Sequence, residues 1–480
     1  MEAPLWALVT ALILFAAWNL WLPYSLWIDE IFSVQLSREQ WGPFRAKMFS
    51  DVHPPLYQII LKFWMGVFGS DEVSARSLSF VFAASIFGLC AYLARRRSTA
   101  FAVVFLLLLG ASGQIIYYAQ EARSYAMLAL LATSIFFFYK DSHEGRSQSF
   151  KIFGYLLLFA ASMTHYFGVL LSGAILLREL WSANSKGRAL EVVVCGVFLL
   201  IYPVVHMTFG VTERLGGNFW ITSDGPTDTL ANYLAAQFPV PLFGLDRVIG
   251  LGSTISIALV GTVLLIGFCS GYVLVKGRDR SELLYAGYII FFCVMAAVVI
   301  DLHTPISTSR NFIILTVPTA YVAALVISGL VEKLPPRPAA ITLGLMVAAL
   351  AVQYYGAFDR MDRRWDGNQD WKGLADVVRQ NQLCRDGCIY AAGPRLWQWR
   401  YYFDANVESG GDLHLTYEEI LRYRDGERRQ PILVAHVNPE RLKELNGQLI
   451  DLGCYIPDSA QNNSVAVFDY VQPEGSIPCF

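Results

Sequence analysis

The chain has 480 residues, of which 55% are hydrophobic and 16% charged. Soluble domains carry about 25% charged residues, so disorder and collagen-like repeats are excluded, and a net charge of −2 excludes a basic nucleic-acid binder and any long-range bias towards a charged partner. Residues 358–480 hold 33 of the 76 charged side chains, which separates a membrane part, 1–357, from a soluble tail, 358–480.

A helix crosses the hydrocarbon core with roughly 20 apolar residues. In chain order, runs that meet or approach this lie near 5–27, 77–94, 99–118, 122–139, 189–209, 253–275, 283–300, 311–331 and 338–357. The stretch 152–181 is longer and carries Thr164-His165-Tyr166 at its middle, so it reads as two short spans meeting at a polar point; one long helix would bury His165 in lipid at a cost. The expectation is a polytopic α-helical membrane protein with about eleven transmembrane helices. Loops 95–98, 140–151, 178–188, 276–282 and 332–338 hold 14 Lys/Arg, and the longer opposite loops hold 9. The bias predicts a cytoplasmic N-terminus and a tail outside the membrane. The first apolar run is too long for a signal-peptide core and reads as a retained helix.

Two outer loops are long enough to have structure. The first, 28–76, opens on Asp29-Glu30, continues through an amphipathic stretch at Glu39–Met48 and ends in an apolar run, Ile59–Phe68, too short to span and suited to the interface. The second, 210–252, is rich in Gly, Pro and Asp and reads as a lid or a plain connector.

The tail reads as a small α/β domain, with strands at Cys388–Ala392, Ile432–Val437 and Val465–Val471 and helices at Trp371–Gln380 and Pro439–Leu445. Its four cysteines, Cys384, Cys388, Cys454 and Cys479, suggest two disulfides in an exported domain, with three pairings open. Trp397, Trp399, Tyr401 and Tyr402 read as core and interface aromatics more readily than as a sugar-stacking surface.

Ionisable residues at a membrane boundary are candidates for function, and here they gather on the outer side: Asp29, Glu30, Asp51, His53, Arg76, Glu121, Arg123, His165, Asp301, His303 and Arg310. Each has a structural reading as well, as a solvated carboxylate, a snorkelling arginine or a satisfied core histidine. Together they suit transfer from a phosphorylated lipid. A carboxylate at the surface can take a proton from an acceptor hydroxyl, and arginines with a histidine can hold a phosphate as charge grows on it.

The motifs Asp29-Glu30, Asp51-Val52-His53-Pro54-Pro55-Leu56-Tyr57, Phe68-Gly69-Ser70-Asp71-Glu72 leading to Arg76, Glu121-Ala122-Arg123-Ser124-Tyr125, Thr164-His165-Tyr166-Phe167-Gly168 and Ser309-Arg310-Asn311-Phe312 resemble those of bacterial GT-C fold glycosyltransferases. The nearest kin are family-39/83-like enzymes, related to protein O-mannosyltransferases and to lipid A aminoarabinose and galacturonic acid transferases. The likeness covers roughly residues 1–320. It implies a GT-C membrane domain over 1–357, with interfacial helices in loop 28–76, and an extracytoplasmic α/β domain over 358–480. It also implies an inverting transferase that uses a polyprenyl-phosphate sugar at the outer face of the bacterial cytoplasmic membrane, with membrane lipids and a lipid, glycan or protein acceptor as partners and no nucleic acid. Asp29 is then the general base and Glu30 its orienting neighbour. Arg123 and Arg310 hold the lipid phosphate, and Asp51, His53, Arg76, Glu121, Tyr125, His165 and Tyr166 line the substrate cavity. A divalent metal occurs in parts of the superfamily, but its ligands do not map onto this sequence. Asn311 departs from the Tyr that many relatives have after the arginine. The competing readings are a flippase or transporter for lipid-linked sugars, which would show inverted repeats and broken mid-membrane helices, and an O-antigen-ligase-like enzyme, whose basic cluster would sit on a late outer loop.

Overall fold

A computed structural model describes residues 2–17, 25–49, 51–110, 112–141, 146–210, 225–237, 267–273 and 275–335, single positions near 337–341 and at 372, 401 and 402, and five strands of the tail. The chain divides into two compact units, Met1–Trp21 with Leu36–Asp359, and Leu22–Gln35 with Arg360–Phe480.

The first unit is helical. Its helices are α1 (Glu2–Ala17), α2 (Ile28–Arg38, which begins in the second unit), α3 (Trp41–Phe49), α4 (Leu56–Phe68), α5 (Glu72–Ala94), α6 (Thr99–Gly110), α7 (Gly113–Tyr118), α8 (Tyr125–Tyr139), α9 (Gln148–Ser162), α10 (Tyr166–Trp181), α11 (Lys186–Phe209), α12 (Pro226–Gln237), α13 (Arg278–Asp301) and α14 (Thr316–Val331), with a 3₁₀ turn over Ser309–Leu315. Short polar side chains start several of them. Asp71 accepts from Ser74 N at 3.0 Å, Ser147 from Phe150 N at 3.3 Å and Ser185 from Arg188 N at 3.2 Å; each such cap is worth about 0.5–2 kcal/mol.

Among the described residues, α5, α11, α13 and the continuous run Ser309–Val331 are long and apolar enough to cross a membrane. Along α11 the side chains of Val194, Val197, Phe198, Ile201 and Val204 face outward, an arrangement that water penalises and lipid does not. The other helices are shorter. At 1.5 Å per residue, α8 reaches only about 22 Å, against a hydrocarbon core of about 30 Å.

Several expectations change. The run 99–118 is not one span: α6 stops at Gly110 and α7 restarts at Gly113, after Ser112 in an extended conformation. Glycine and serine are poor helix formers, and together they interrupt a stretch whose hydropathy alone reads as continuous. Asp29 and Glu30 lie in the first turn of α2, where the positive end of the helix dipole favours carboxylates. The loop 210–252 contains α12, whose Thr229, Tyr233, Leu234 and Gln237 are buried, so this part is packed rather than lid-like. The stretch 152–181 does divide, with α9 ending at Ser162 and α10 starting at Tyr166. Most of 253–275 and nearly all of 338–357 lie outside the described residues.

In the second unit the strands are β1 (Ile389–Ala391), β2 (Leu413–Leu415), β3 (Ile432–Ala435), β4 (Tyr455–Pro457) and β5 (Val465–Tyr470), in the order β2-β1-β3-β5-β4. β1 runs parallel to β2 and β3, and β5 antiparallel to β3 and β4. β1, β3 and β5 fall on the three expected strands; β2 and β4 are three residues long, too short to show a period in the sequence. The expected tail helices and all four tail cysteines lie outside the described residues. The short segment before α2 belongs to this unit: Lys372 N donates to Ser25 Oγ at 2.9 Å, and the buried Leu26 N donates to the Tyr402 hydroxyl.

At the α9–α10 turn, a Cβ on Gly168 would stand 2.1 Å from the Ala161 carbonyl oxygen and 2.5 Å from its carbon. Backbone atoms cannot step aside, so Gly168→Ala should force the two helices apart. The expected cost is about 1–3 kcal/mol, read as a lower melting midpoint of the detergent-solubilised protein. An unchanged midpoint would show that this crossing tolerates the methyl group.

Candidate active site

The polar side chains that the first unit brings together come from three interruptions of its helices. The first is the segment Asp51-Val52-His53-Pro54-Pro55 between α3 and α4. Its two prolines fix φ and carry no N–H to satisfy, and it is anchored at both ends. Leu56 N donates to Met163 O at 2.9 Å. His206 of α11 lies against Phe49 O at 2.9 Å through Nε2 and against the Tyr166 hydroxyl at 2.6 Å through Nδ1. A carbonyl only accepts, so the Nε2–H donates to Phe49 O, and Nδ1 accepts from Tyr166. Tyr166, expected to face substrate, is therefore occupied in holding the segment that leads to Asp51.

The second interruption, 119–124, carries Glu121 and Arg123. Both are buried. Arg123 N donates to Glu121 O at 2.7 Å, and Ser79 Oγ to Arg123 O at 3.5 Å. Arg76, also buried, stands one turn before Ser79 on α5. The Arg123 guanidinium approaches His53 Nδ1 at 3.4 Å. Because arginine only donates, His53 accepts there and keeps its proton on Nε2. Asp51 lies on the other side, 3.9 Å from the same nitrogen, an electrostatic contact rather than a hydrogen bond.

The third interruption is the α9–α10 turn. His165 caps α10, its Nδ1 accepting from Phe167 N at 3.1 Å. Its ring centroid is 5.2 Å from that of His53 and 5.8 Å from that of Tyr125. Arg310 closes the group, its guanidinium 5.5 Å from the centre of the Tyr125 ring, within cation–π range.

Asp301 and α12 position the approach to Arg310. Asp301 is buried and accepts from Ile306 N at 2.7 Å, Ser307 N at 3.1 Å and Thr229 Oγ1 at 2.6 Å. Asn232 and Gln237 of α12 donate to Ser307 O and Phe312 O, each at 3.1 Å. Asn311 donates to Ile306 O at 2.7 Å, so this departure from the family pattern braces the loop. His303 is exposed and stands apart from the cluster. His206 and Thr229 escaped the sequence reading. A histidine within an apolar run is costly in lipid and could have flagged the first; an isolated threonine carries no signal.

The electrostatics follow from burial and from the two arginines. Burial lowers the His53 pKa, Arg123 and Arg310 lower it further, and Asp51 restores only part. His165 is held well below the ordinary histidine range by burial, then by His53, Arg310 and Arg123. Burial works against ionisation of Asp51, but His53, Arg123 and the Val52 N–H outweigh it and lower its pKa. At neutral pH the group presents two guanidiniums and two neutral imidazoles, with the Asp51 carboxylate and the buried Glu121 side chain among them. The guanidiniums and the imidazole N–H groups are donors that an anion could accept from. Among the described residues no three His, Cys, Asp or Glu side chains converge as metal ligands would, and guanidiniums beside the Asp51 carboxylate repel a cation, so the donor set does not fit a protein-held divalent metal.

In the second unit, Glu30 Oε2 accepts from Trp27 N at 3.2 Å, the residue before α2. This is the reciprocal half of a capping box. Ser33 Oγ donates to Asp29 O at 2.9 Å. Glu30 is buried and Asp29 half-buried.

No sequence-family model matches the chain, and no curated protein matches it by sequence. Its fold is that of ArnT from Cupriavidus metallidurans. The crystal structure of the apo state superposes with a TM-score of 0.59 at 13% identity, over 96% of this chain and 97% of that one. The structure bound to undecaprenyl phosphate gives 0.60 at 14% identity over the same shares. At such identity the likeness concerns fold, and it is the GT-C architecture that the motifs resemble.

Both histidines are neutral in the folded protein but take up a proton near pH 6.5 once unfolded. Below that pH the unfolded chain binds more protons, so their contribution is full above about pH 6.5 and lost on acidification. Asp51, with its pKa lowered, loses its own contribution only in a more acid range. The melting midpoint in detergent should therefore fall between pH 7.5 and 5.5, and His165→Gln should flatten the fall. Equal slopes for the two proteins would remove His165 as a source.

Proposed function

We propose that this chain is an inverting glycosyltransferase that moves a sugar from a polyprenyl-phosphate donor to a cell-envelope acceptor, whether lipopolysaccharide, another glycan or a protein. It would work at the outer face of the bacterial cytoplasmic membrane, anchored by about eleven spans, with the tail on the same outer side. The observation that carries the reading is the group Arg123, Arg310, His53 and His165, an anion-attracting cluster at interrupted helix ends where a lipid phosphate arriving from the bilayer is within reach. The undecaprenyl phosphate in the similar ArnT structure supports a polyprenyl lipid as carrier.

The reaction is a single displacement. The acceptor hydroxyl oxygen attacks the anomeric carbon while its proton passes to a carboxylate. The bond from that carbon to the phosphate oxygen breaks, and the phosphate leaves with the bonding pair. Arg123 and Arg310 can each offer paired N–H groups to the growing charge. The two imidazoles, with Nε2–H groups as donors, add hydrogen bonds without adding charge. Asp29 is the base by its place in the acid pair; Glu30 spends a carboxylate oxygen on Trp27 N, which leaves it an orienting part. Asp51, Arg76, Glu121, Tyr125 and Tyr166 support or line the donor side.

Loss of the base should cost about 10²–10⁴ in rate. Turnover of polyprenyl-phosphate sugars in proteoliposomes, read by mass spectrometry of acceptor pools, should collapse in Asp29→Asn while the protein still inserts. Undiminished turnover would remove Asp29, and undiminished sugar-lipid translocation without transfer in the wild type would favour a transporter. Arg310→Ala and Arg123→Ala each remove a charge-assisted contact worth about 1.5–3 kcal/mol, so donor affinity should drop roughly 10- to 150-fold. Unchanged affinity in both would overturn the phosphate assignment.

A further inference from the structure

The end of the bundle away from Arg123 and Arg310 holds a second polar site. α5 and α13 each span 23 and 24 residues between the two ends, about 35 Å at 1.5 Å per residue. At the far end lies a cavity of about 370 Å³, lined by Arg96, Arg97, Lys140 and Arg278, by Asp141 and Asp279, and by apolar walls that include Phe105 and Tyr321. That volume lies within the usual range for small-ligand sites, about 300–1,000 Å³.

The acids here are already committed. Glu282, buried, accepts from Lys140 at 2.6 Å, Arg278 Nε at 3.0 Å, the Tyr321 hydroxyl at 2.5 Å and Arg97. Asp279 accepts from Arg97 at 2.7 Å and Asp141 from Arg278 at 3.3 Å. The cations are not exhausted. An arginine has five N–H donors and a lysine three, and four cations face three carboxylates. Arg96 has no carboxylate within ion-pair distance among the described residues; its guanidinium donates to the Tyr92 hydroxyl at 3.3 Å and lies 5.4 Å from that ring. Burial, aided by Arg278 and Arg97 and opposed by Asp141 and Asp279, pushes the Lys140 pKa down to about 8.

We propose that this cavity binds a phosphate-bearing anion, with the guanidinium of Arg96 and the spare donors of Arg97 and Arg278 on the phosphate oxygens and the aromatic wall against the rest of the ligand. Basic pockets between membrane helices are suited to anionic headgroups, and a headgroup phosphate and free inorganic phosphate present the same chemistry. The site is independent of the sugar-transfer reading and stands or falls without it.

Native mass spectrometry of the full chain in detergent tests it, with phosphatidylglycerol, phosphatidylcholine and inorganic phosphate as separate probes. Phosphatidylglycerol should be retained over phosphatidylcholine, and Arg96→Gln should weaken retention about five-fold, the effect of one basic residue, with Arg96→Lys restoring most of it. Arg96 is exposed, so these variants should fold normally. Ala94→Phe, which fills the cavity wall, should also weaken retention. Displacement of the lipid by millimolar phosphate would identify the free anion as an equal source; persistence of the lipid would identify the headgroup. Equal retention of the two lipids, or retention indifferent to Arg96→Gln and Ala94→Phe, would overturn the proposal and leave the charges as an ion-pair network alone.

Discussion

A backbone that leaves the helix inside a bilayer has to find partners for its own N–H and C=O groups, because lipid offers none. The interruptions of this bundle meet that demand with side chains. At the α9–α10 turn, Thr164 Oγ1 donates to Ala160 O at 2.7 Å, His165 accepts from Phe167 N, and Gly168 N returns to His165 O at 2.8 Å. Past α13, the Asp301 carboxylate takes two backbone N–H groups and the Thr229 hydroxyl. The interruptions thus need buried polar side chains before any substrate arrives, and the same turns deliver His165 and Arg310 to one place. Positioning is a consequence of satisfying the chain.

Charge is used differently at the two ends of the first unit. Around Glu282 a dense network of cations encloses the acid, which suits a group buried to 2% exposure because a lone charge there would be expensive. Around His53 and His165 the arginines lie among neutral imidazoles and two buried acids, Asp51 and Glu121. In a low-dielectric surrounding these groups act on one another more strongly than they would in water. The histidines are held neutral chiefly by burial, to which Arg123 and Arg310 add.

The long apolar runs and the polar point at Thr164-His165-Tyr166 were legible in the sequence because hydropathy reports burial over a window. The break after Gly110 was not, since Ser112 and its glycines change a window average very little while changing the backbone path. Asp51, His53, Arg123 and Arg310 stood out as ionisable residues at membrane boundaries, and the structure brings them together. The Tyr166 hydroxyl bonds to His206, a contact that the sequence does not show. Its neighbour His165 faces the cluster, but one residue further along the helix the side chain points elsewhere and finds His206. Thr229 and His206 act through contacts far away in sequence, 72 residues to Asp301 and 157 to Phe49, and a single sequence carries no sign of such pairings.

The acid pair shows how two adjacent carboxylates acquire separate parts. Both sit at the start of α2, where the unpaired N–H groups of the first turn attract negative charge. Only the residue three positions after the cap can reach back to the cap's own N–H, and that residue is Glu30, on Trp27 N. Asp29, with a shorter side chain two positions in, lacks that reach and stays half-buried. Geometry at the helix start therefore gives the two carboxylates different surroundings, Glu30 buried and tied to the cap, Asp29 half-buried. The segment just ahead is itself held, Ser25 by Lys372 N and Leu26 by the Tyr402 hydroxyl. Both partners belong to the tail, so the tail's first structural task is to fix the turn from which the acid pair starts.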